Sequence, residues 1–179
     1  MLIEETPLSS NCFSENILNS TIRLNCESCF TFLESIPSNS VDLVLIDPPY
    51  EISKPTGFAS GGGVERFAVS MDFGEWDKSF AGLDLVIKES FRVLKKGGTL
   101  ICFYDLWKIT NLKQHFEDND FRQIRLIEWI KTNPVPLNSK SNYLTNAREI
   151  AISGVKGGKP TFNSKYDSGL YYFPICHDK

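Results

Sequence analysis

The chain has 179 residues, 41% hydrophobic and 12% aromatic, with a net charge of −3. That length suits one ordinary domain with a single core; no run of eighteen apolar residues offers a membrane span, and Glu4 and Glu5 do not suit a secretion signal. The five cysteines are odd in number and irregularly spaced, and Cys26 and Cys29, the one close pair, lack a second pair or histidine cluster to complete a zinc site, so reduced thiols in a cytoplasmic protein and no bound metal are expected.

Residues 1–20 are polar and aperiodic and read as a tail, with 21–179 as the folded domain. Ile22-Arg23-Leu24 suits a short edge strand, and residues 28–36 a short helix. The turn Pro37-Ser38-Asn39-Ser40 leads into Val41-Asp42-Leu43-Val44-Leu45-Ile46, an apolar run that predicts a buried strand. Asp47-Pro48-Pro49-Tyr50 follows at once. Residues 51–70, with Gly61-Gly62-Gly63, read as a mobile loop of the kind that closes over a site. No Gly-Lys-Ser/Thr follows that triplet, so it is not a phosphate loop. Lys54 and Arg66 on this loop are candidate phosphate contacts. From 79 to 95 the residues Leu83, Val86, Ile87, Ser90, Phe91 and Leu94 recur at helical spacing, with Asp77 or Ser79 as cap and Gly97 as the terminating glycine. A buried strand over 99–104, a helix over 109–119, a strand over 124–131, a last strand over 149–155 and a loop over 156–170 complete the pattern. Alternation of this kind predicts an α/β fold, doubly wound with a parallel core.

Ligands of open α/β sheets bind at the carboxyl ends of the strands, which is where Asp47-Pro48-Pro49-Tyr50 falls. The tetrapeptide suits holding the exocyclic amine of a flat heterocycle during methylation. The lone pair of such an amine is delocalised into its ring, so it is a poor nucleophile. A carboxylate (Asp47) and a carbonyl (Pro48) accepting its two N–H groups favour a tetrahedral nitrogen. Prolines fix φ and donate no N–H, so Pro48 and Pro49 make a stiff rim. Tyr50 offers a stacking face, worth roughly 1–3 kcal/mol per base. A base in duplex DNA must be flipped out to reach such a site.

Residues 23–155 resemble the beta arrangement of the amino-methyltransferases that modify adenine N6 or cytosine N4 in DNA. The resemblance rests on Asp47-Pro48-Pro49-Tyr50 and on residues 30–43, which end in Ile36-Pro37-Ser38-Asn39-Ser40-Val41-Asp42-Leu43. It extends to Met71-Asp72-Phe73-Gly74-Glu75-Trp76-Asp77, to Val93-Leu94-Lys95-Lys96-Gly97-Gly98-Thr99-Leu100, and to residues 127–136 with Glu128-Trp129-Ile130-Lys131. It implies a Rossmann-like S-adenosylmethionine-dependent methyltransferase fold, with a mixed, mostly parallel sheet and helices on both faces. It implies Asp47, Pro48, Pro49 and Tyr50 as catalytic residues, with Ser28, Cys29, Asp47 and Pro48 facing the cofactor. The initial Asp47 points to adenine over cytosine. Residues 131–170 fall near the family's DNA-recognition region, where Lys131, Asn133, Lys140 and Arg148 suit phosphates and base edges. Charge agrees: residues 1–119 carry 10 basic and 17 acidic side chains, residues 120–179 carry 9 and 5.

Two family features are missing. Glu27-Ser28 stands where the family has Gly-Asp, so Ser28 supplies no carboxylate. No Asp-Pro-Phe-x-Gly-x-Gly-like cofactor loop follows an apolar strand. The fold is therefore expected to be incomplete, the substrate-amine half without the cofactor half. Three readings stay open: an adenine-N6 DNA methyltransferase of a restriction-modification type, completed by a second polypeptide or a homodimer; a non-catalytic DNA-binding remnant; or methylation of another amine, cytosine N4 included.

Overall fold

The structure is a computed structural model that describes residues 13–17, 20–50, 80–134, 146–164 and 166–176. The chain divides into two compact units, Met1–Pro37 and Ser38–Lys179.

In the first unit, β1 (Phe13–Ile17) and β2 (Ser20–Leu24) form an antiparallel hairpin with Ile17 opposite Ser20. Residues 13–17 are thus strand where a tail was expected. Their strand comes from pairing with β2, and a pairing partner is not visible in local composition. Helix α1 (Cys29–Ser35) follows, with Ser28 as its N-cap. The Ile36 N–H closes its last turn on the Leu33 carbonyl at 3.0 Å. Pro37 then prevents continuation.

The second unit is built on a five-stranded sheet. Its strands are β3 (Val41–Ile46), β4 (Leu94–Tyr104), β5 (Arg122–Lys131), β6 (Arg148–Val155) and β7 (Leu170–Phe173), in the order β3-β4-β6-β5-β7. β3 runs parallel to β4 and β7 parallel to β5, while β6 lies antiparallel between β4 and β5. Four strands therefore point one way and β6 opposes them. The single reversal follows from chain order, because β5 and β6 are consecutive and pair antiparallel. β7 falls where a loop was expected at its first residue. It is four residues long and exposed throughout, so only its pairing with β5 defines it.

Helices α2 (Leu83–Val93) and α3 (Ile109–Asp118) pack on one face of this sheet. Of the helices expected on both faces, the described residues of this unit place these two, on the same one. Leu83 and Ile87 of α2 and Leu112 and Phe116 of α3 meet Leu100, Cys102, Tyr104 and Ile152 in one buried cluster. Gly154 on β6 makes room for this contact, since a Cβ there would sit 2.6 Å from the Phe116 ring.

β3 departs from the expected buried strand. It lies at the sheet edge, and only alternate residues, Val44 and Ile46, pack against the core. Leu43 and Leu45 point the other way and are 53% and 61% exposed. An apolar run reads the same whether one face or both are covered.

α2 also ends otherwise than expected. Its C-cap is Leu94, which passes directly into β4, so Gly97 lies inside the strand. Gly97 has φ +87° and a Cβ there would meet the Lys159 carbonyl at 2.6 Å, so glycine is required by both conformation and space. The Gly97 N–H donates to the Gly157 carbonyl at 2.6 Å, and the Lys156 ammonium donates to Asn39 Oδ1 at 2.8 Å. These contacts tie the amino-terminal end of β3 and β4 shut. The opposite end is where β3 gives way to Asp47.

Candidate active site

Asp47 follows the last residue of β3 and stands at the carboxyl end of that strand. Prolines 48 and 49 leave the segment without two backbone donors, so it is anchored through acceptors and its aromatic ring. The Lys108 ammonium, from the 3₁₀ turn Leu106–Lys108 after β4, donates to the Tyr50 carbonyl at 2.8 Å. Asp105 caps that turn by accepting the Trp107 N–H at 2.9 Å. The Tyr50 ring meets Tyr104 edge-on at 5.8 Å between centroids.

The Tyr50 hydroxyl donates to Asp47 Oδ1 at 2.5 Å. Burial first, then this bond and the charges of Asp47 and Glu149, hold the Tyr50 pKa far above its usual value. The phenol therefore stays protonated and keeps Asp47 company as a donor. Cys102, beneath the same site, is pushed up to about 12 by burial and then by the charge of Asp47. It is a packed thiol and no nucleophile.

Leu45, Ile46, Asp47, Tyr50, Phe103, Trp129 and Glu149 line a cleft of about 440 Å³. Strand register explains this set. Leu45 pairs with Ile101, Phe103 with Ala151, and Trp129 with Glu149. With a period of two along each strand, Leu45, Phe103, Trp129 and Glu149 all project from the face opposite α2 and α3. Sequence reasoning found Asp47 and Tyr50 but missed Phe103, Trp129 and Glu149. The available signal for Glu149 was an acid opening an otherwise apolar strand.

Other expected site residues are placed elsewhere or put to other uses. The Ser28 hydroxyl accepts the Phe30 N–H at 3.3 Å as the cap of α1, in the other unit, and Cys29 is exposed. The Lys131 ammonium pairs with Glu149 and lies 5.5 Å from the Trp129 ring. Asn133 uses both ends of its amide on residue 175: Nδ2 donates to the carbonyl at 3.2 Å, and Oδ1 accepts the N–H at 2.5 Å. Arg148 stands 3.6 Å from Glu128 with its side chain 64% exposed. Lys54, Arg66 and Lys140 lie outside the described residues. Among the described residues, no helix is long and apolar enough to cross a membrane, and no three His, Cys, Asp or Glu side chains gather as a metal site.

Over 136 residues the chain is 34% identical to the type II methyltransferase M2.LlaDCHI of Lactococcus lactis subsp. cremoris, covering 73% of this chain and 49% of that one. The same identity and coverages hold for the type II methyltransferase M2.DpnII of Streptococcus pneumoniae. The chain thus spans about half the length of these relatives. Among solved structures, the cytosine-N4-specific PvuII DNA methyltransferase superposes with a TM-score of 0.55 at 15% identity, over 82% of this chain and 55% of that one, which establishes the fold. Residues 41–169 match the N6_N4_Mtase family of DNA methylases, and the chain belongs to that family.

Proposed function

We propose that this chain carries the amine-binding part of a DNA methyltransferase that acts on adenine N6, with S-adenosylmethionine as methyl donor. The observation that carries the reading is the Asp47 carboxylate at the carboxyl end of β3, opening into a cleft walled by Tyr50, Phe103 and Trp129. A flipped adenine stacks on an aromatic wall while Asp47 and the Pro48 carbonyl accept its amine protons. In that arrangement the Tyr50 hydroxyl yields its place on Asp47 to the amine. The lone pair then points out of the ring plane, and neither a metal nor a covalent intermediate is needed.

S-adenosylmethionine, when bound, would supply a methyl carbon whose bond to sulfur would break as the bond to nitrogen forms, the electron pair leaving on sulfur and one amine proton passing by way of the Asp47 carboxylate to water. The side chains described fit the amine end of this reaction. They do not fit its ribose end, because Ser28 and Cys29 bring no carboxylate and Ser28 is engaged as a helix cap. The rest of the cofactor pocket is therefore assigned to further polypeptide, whether in the same chain, a complementary chain or a second copy. Arg148, together with Lys54, Arg66 and Lys140, is assigned to DNA phosphates. The remaining candidates, Lys131 and Asn133, reach DNA only by giving up their present partners. The type II relatives support a role in restriction-modification, and a DNA substrate implies residence with the genome in the cytoplasm.

The test is transfer of labelled methyl from S-adenosylmethionine to unmethylated duplex DNA, followed by digestion to nucleosides. Label in N6-methyladenosine supports the reading, and label in N4-methylcytidine replaces adenine by cytosine. No transfer even after the missing part of a relative is supplied would favour a DNA-binding remnant.

A further inference from the structure

We propose that Glu149 is a second substrate-contacting carboxylate of this cleft, and that Lys131 is the positioning residue that holds it there. The inference rests on the assignment of the cleft to a base amine and adds a residue that reads that amine. Glu149 lines the cleft together with Asp47 and Tyr50. It is the second residue of β6 and stands beside Trp129, its partner across the strands. Its charge reaches Tyr50, whose hydroxyl sits on Asp47.

Lys131 lies two residues beyond Trp129 on the same face of β5. Its ammonium pairs with Glu149 Oε1 and is 13% exposed, against 28% for Glu149. Among the described residues no hydrogen bond occupies Oε2. The lysine thus fixes one oxygen, while the second oxygen is available to the cleft. Asp47 approaches from the end of β3 and Glu149 from the start of β6. Asp47 and the Pro48 carbonyl accept the two N–H groups of the amine, and Glu149 stands beside them as a second carboxylate, so the positive charge that grows on nitrogen during methylation is stabilised by both carboxylates. Lys131, taken from its sequence context as a phosphate contact, is instead used inside the site.

The test uses adenosine and purine riboside, which differ only in the 6-amine, titrated against the 179-residue chain by tryptophan fluorescence. The unaltered protein should prefer adenosine by about tenfold, the scale of one charge-assisted hydrogen bond. Glu149→Gln, nearly isosteric, should lose most of that preference while the protein stays folded, and Glu149→Ala should lose it too at a lower melting temperature, because it strands the Lys131 ammonium. Lys131→Met should lose it in part, and Lys131→Arg should restore it. Glu149 variants that keep the full preference, when Asp47→Ala has lost it, would overturn this inference and leave the proposed function standing. A Lys131→Met variant with full preference would remove the positioning role. If the unaltered chain shows no preference and Asp47→Ala changes nothing, the proposed function itself fails, and this inference with it.

Discussion

Neighbouring side chains along β3 and β4 live in two different environments. Leu100 and Cys102 are fully buried under α2 and α3, and Val44 and Ile46 pack against them. One residue away, Leu43 and Leu45 are more than half exposed, while Phe103 forms a wall of the cleft. One face of the sheet carries the packing and the other carries the polar groups of the site. The difference teaches that alternate side chains of these strands serve packing and the cleft in different measure, with Ile46 and Tyr50 shared by both. Substitutions on the two faces should therefore be read out by different instruments.

The largest effect on stability is expected on the covered face. Phe116→Ala empties the space between α3 and Gly154 and should cost about 3–5 kcal/mol in a denaturant titration. A loss under about 1 kcal/mol would mean that the helices do not hold this face. Next comes the alkaline limb of stability. Cys102 is raised from 9.0 to about 12, so between these values the folded state keeps a proton that the unfolded state gives up. Stability from this group is complete below pH 9 and is lost as pH rises toward 12, by up to about 1.4 kcal/mol per pH unit. Tyr50, raised in the same direction, adds to the loss above its ordinary value of 10.0. In Cys102→Ala the slope just above pH 9 should flatten, and a slope identical to that of the parent would contradict the buried thiol. The smallest effect belongs to the open face, where Leu45→Ser should change stability by no more than about 0.5 kcal/mol. A loss as large as that at Phe116 would show that this face is covered in the folded protein.

Much of this division was legible in the sequence. The helical spacing of Leu83, Val86, Ile87 and Ser90 marked the face that α2 buries, and Asp47-Pro48-Pro49-Tyr50 marked the site at a strand end. What stayed hidden depends on pairing across the chain. Trp129 and Glu149 become neighbours only through the register of β5 on β6, twenty residues apart. Phe103 joins them only because β4 lies beside β6. β1 and β7 are strands by virtue of their partners, with little local signal of their own. The exposure of Leu43 and Leu45 was unreadable for a related reason, since an apolar run does not declare how many of its faces are packed. Asn133 looked like a reader of base edges, and its amide turns out to clamp residue 175.

The account turns on Asp47 serving chemistry and not folding. The most direct measurement is labelled methyl transfer to duplex DNA by the unaltered protein and by Asp47→Ala, supplied with whatever polypeptide completes the cofactor pocket, beside the melting temperature of each. The predicted result is a loss of transfer of about a hundred- to a thousandfold, the scale of removing a group that stabilises transition-state charge, at a melting temperature within a few degrees of the parent. Transfer undiminished by Asp47→Ala, or lost only because the variant unfolds, would contradict it.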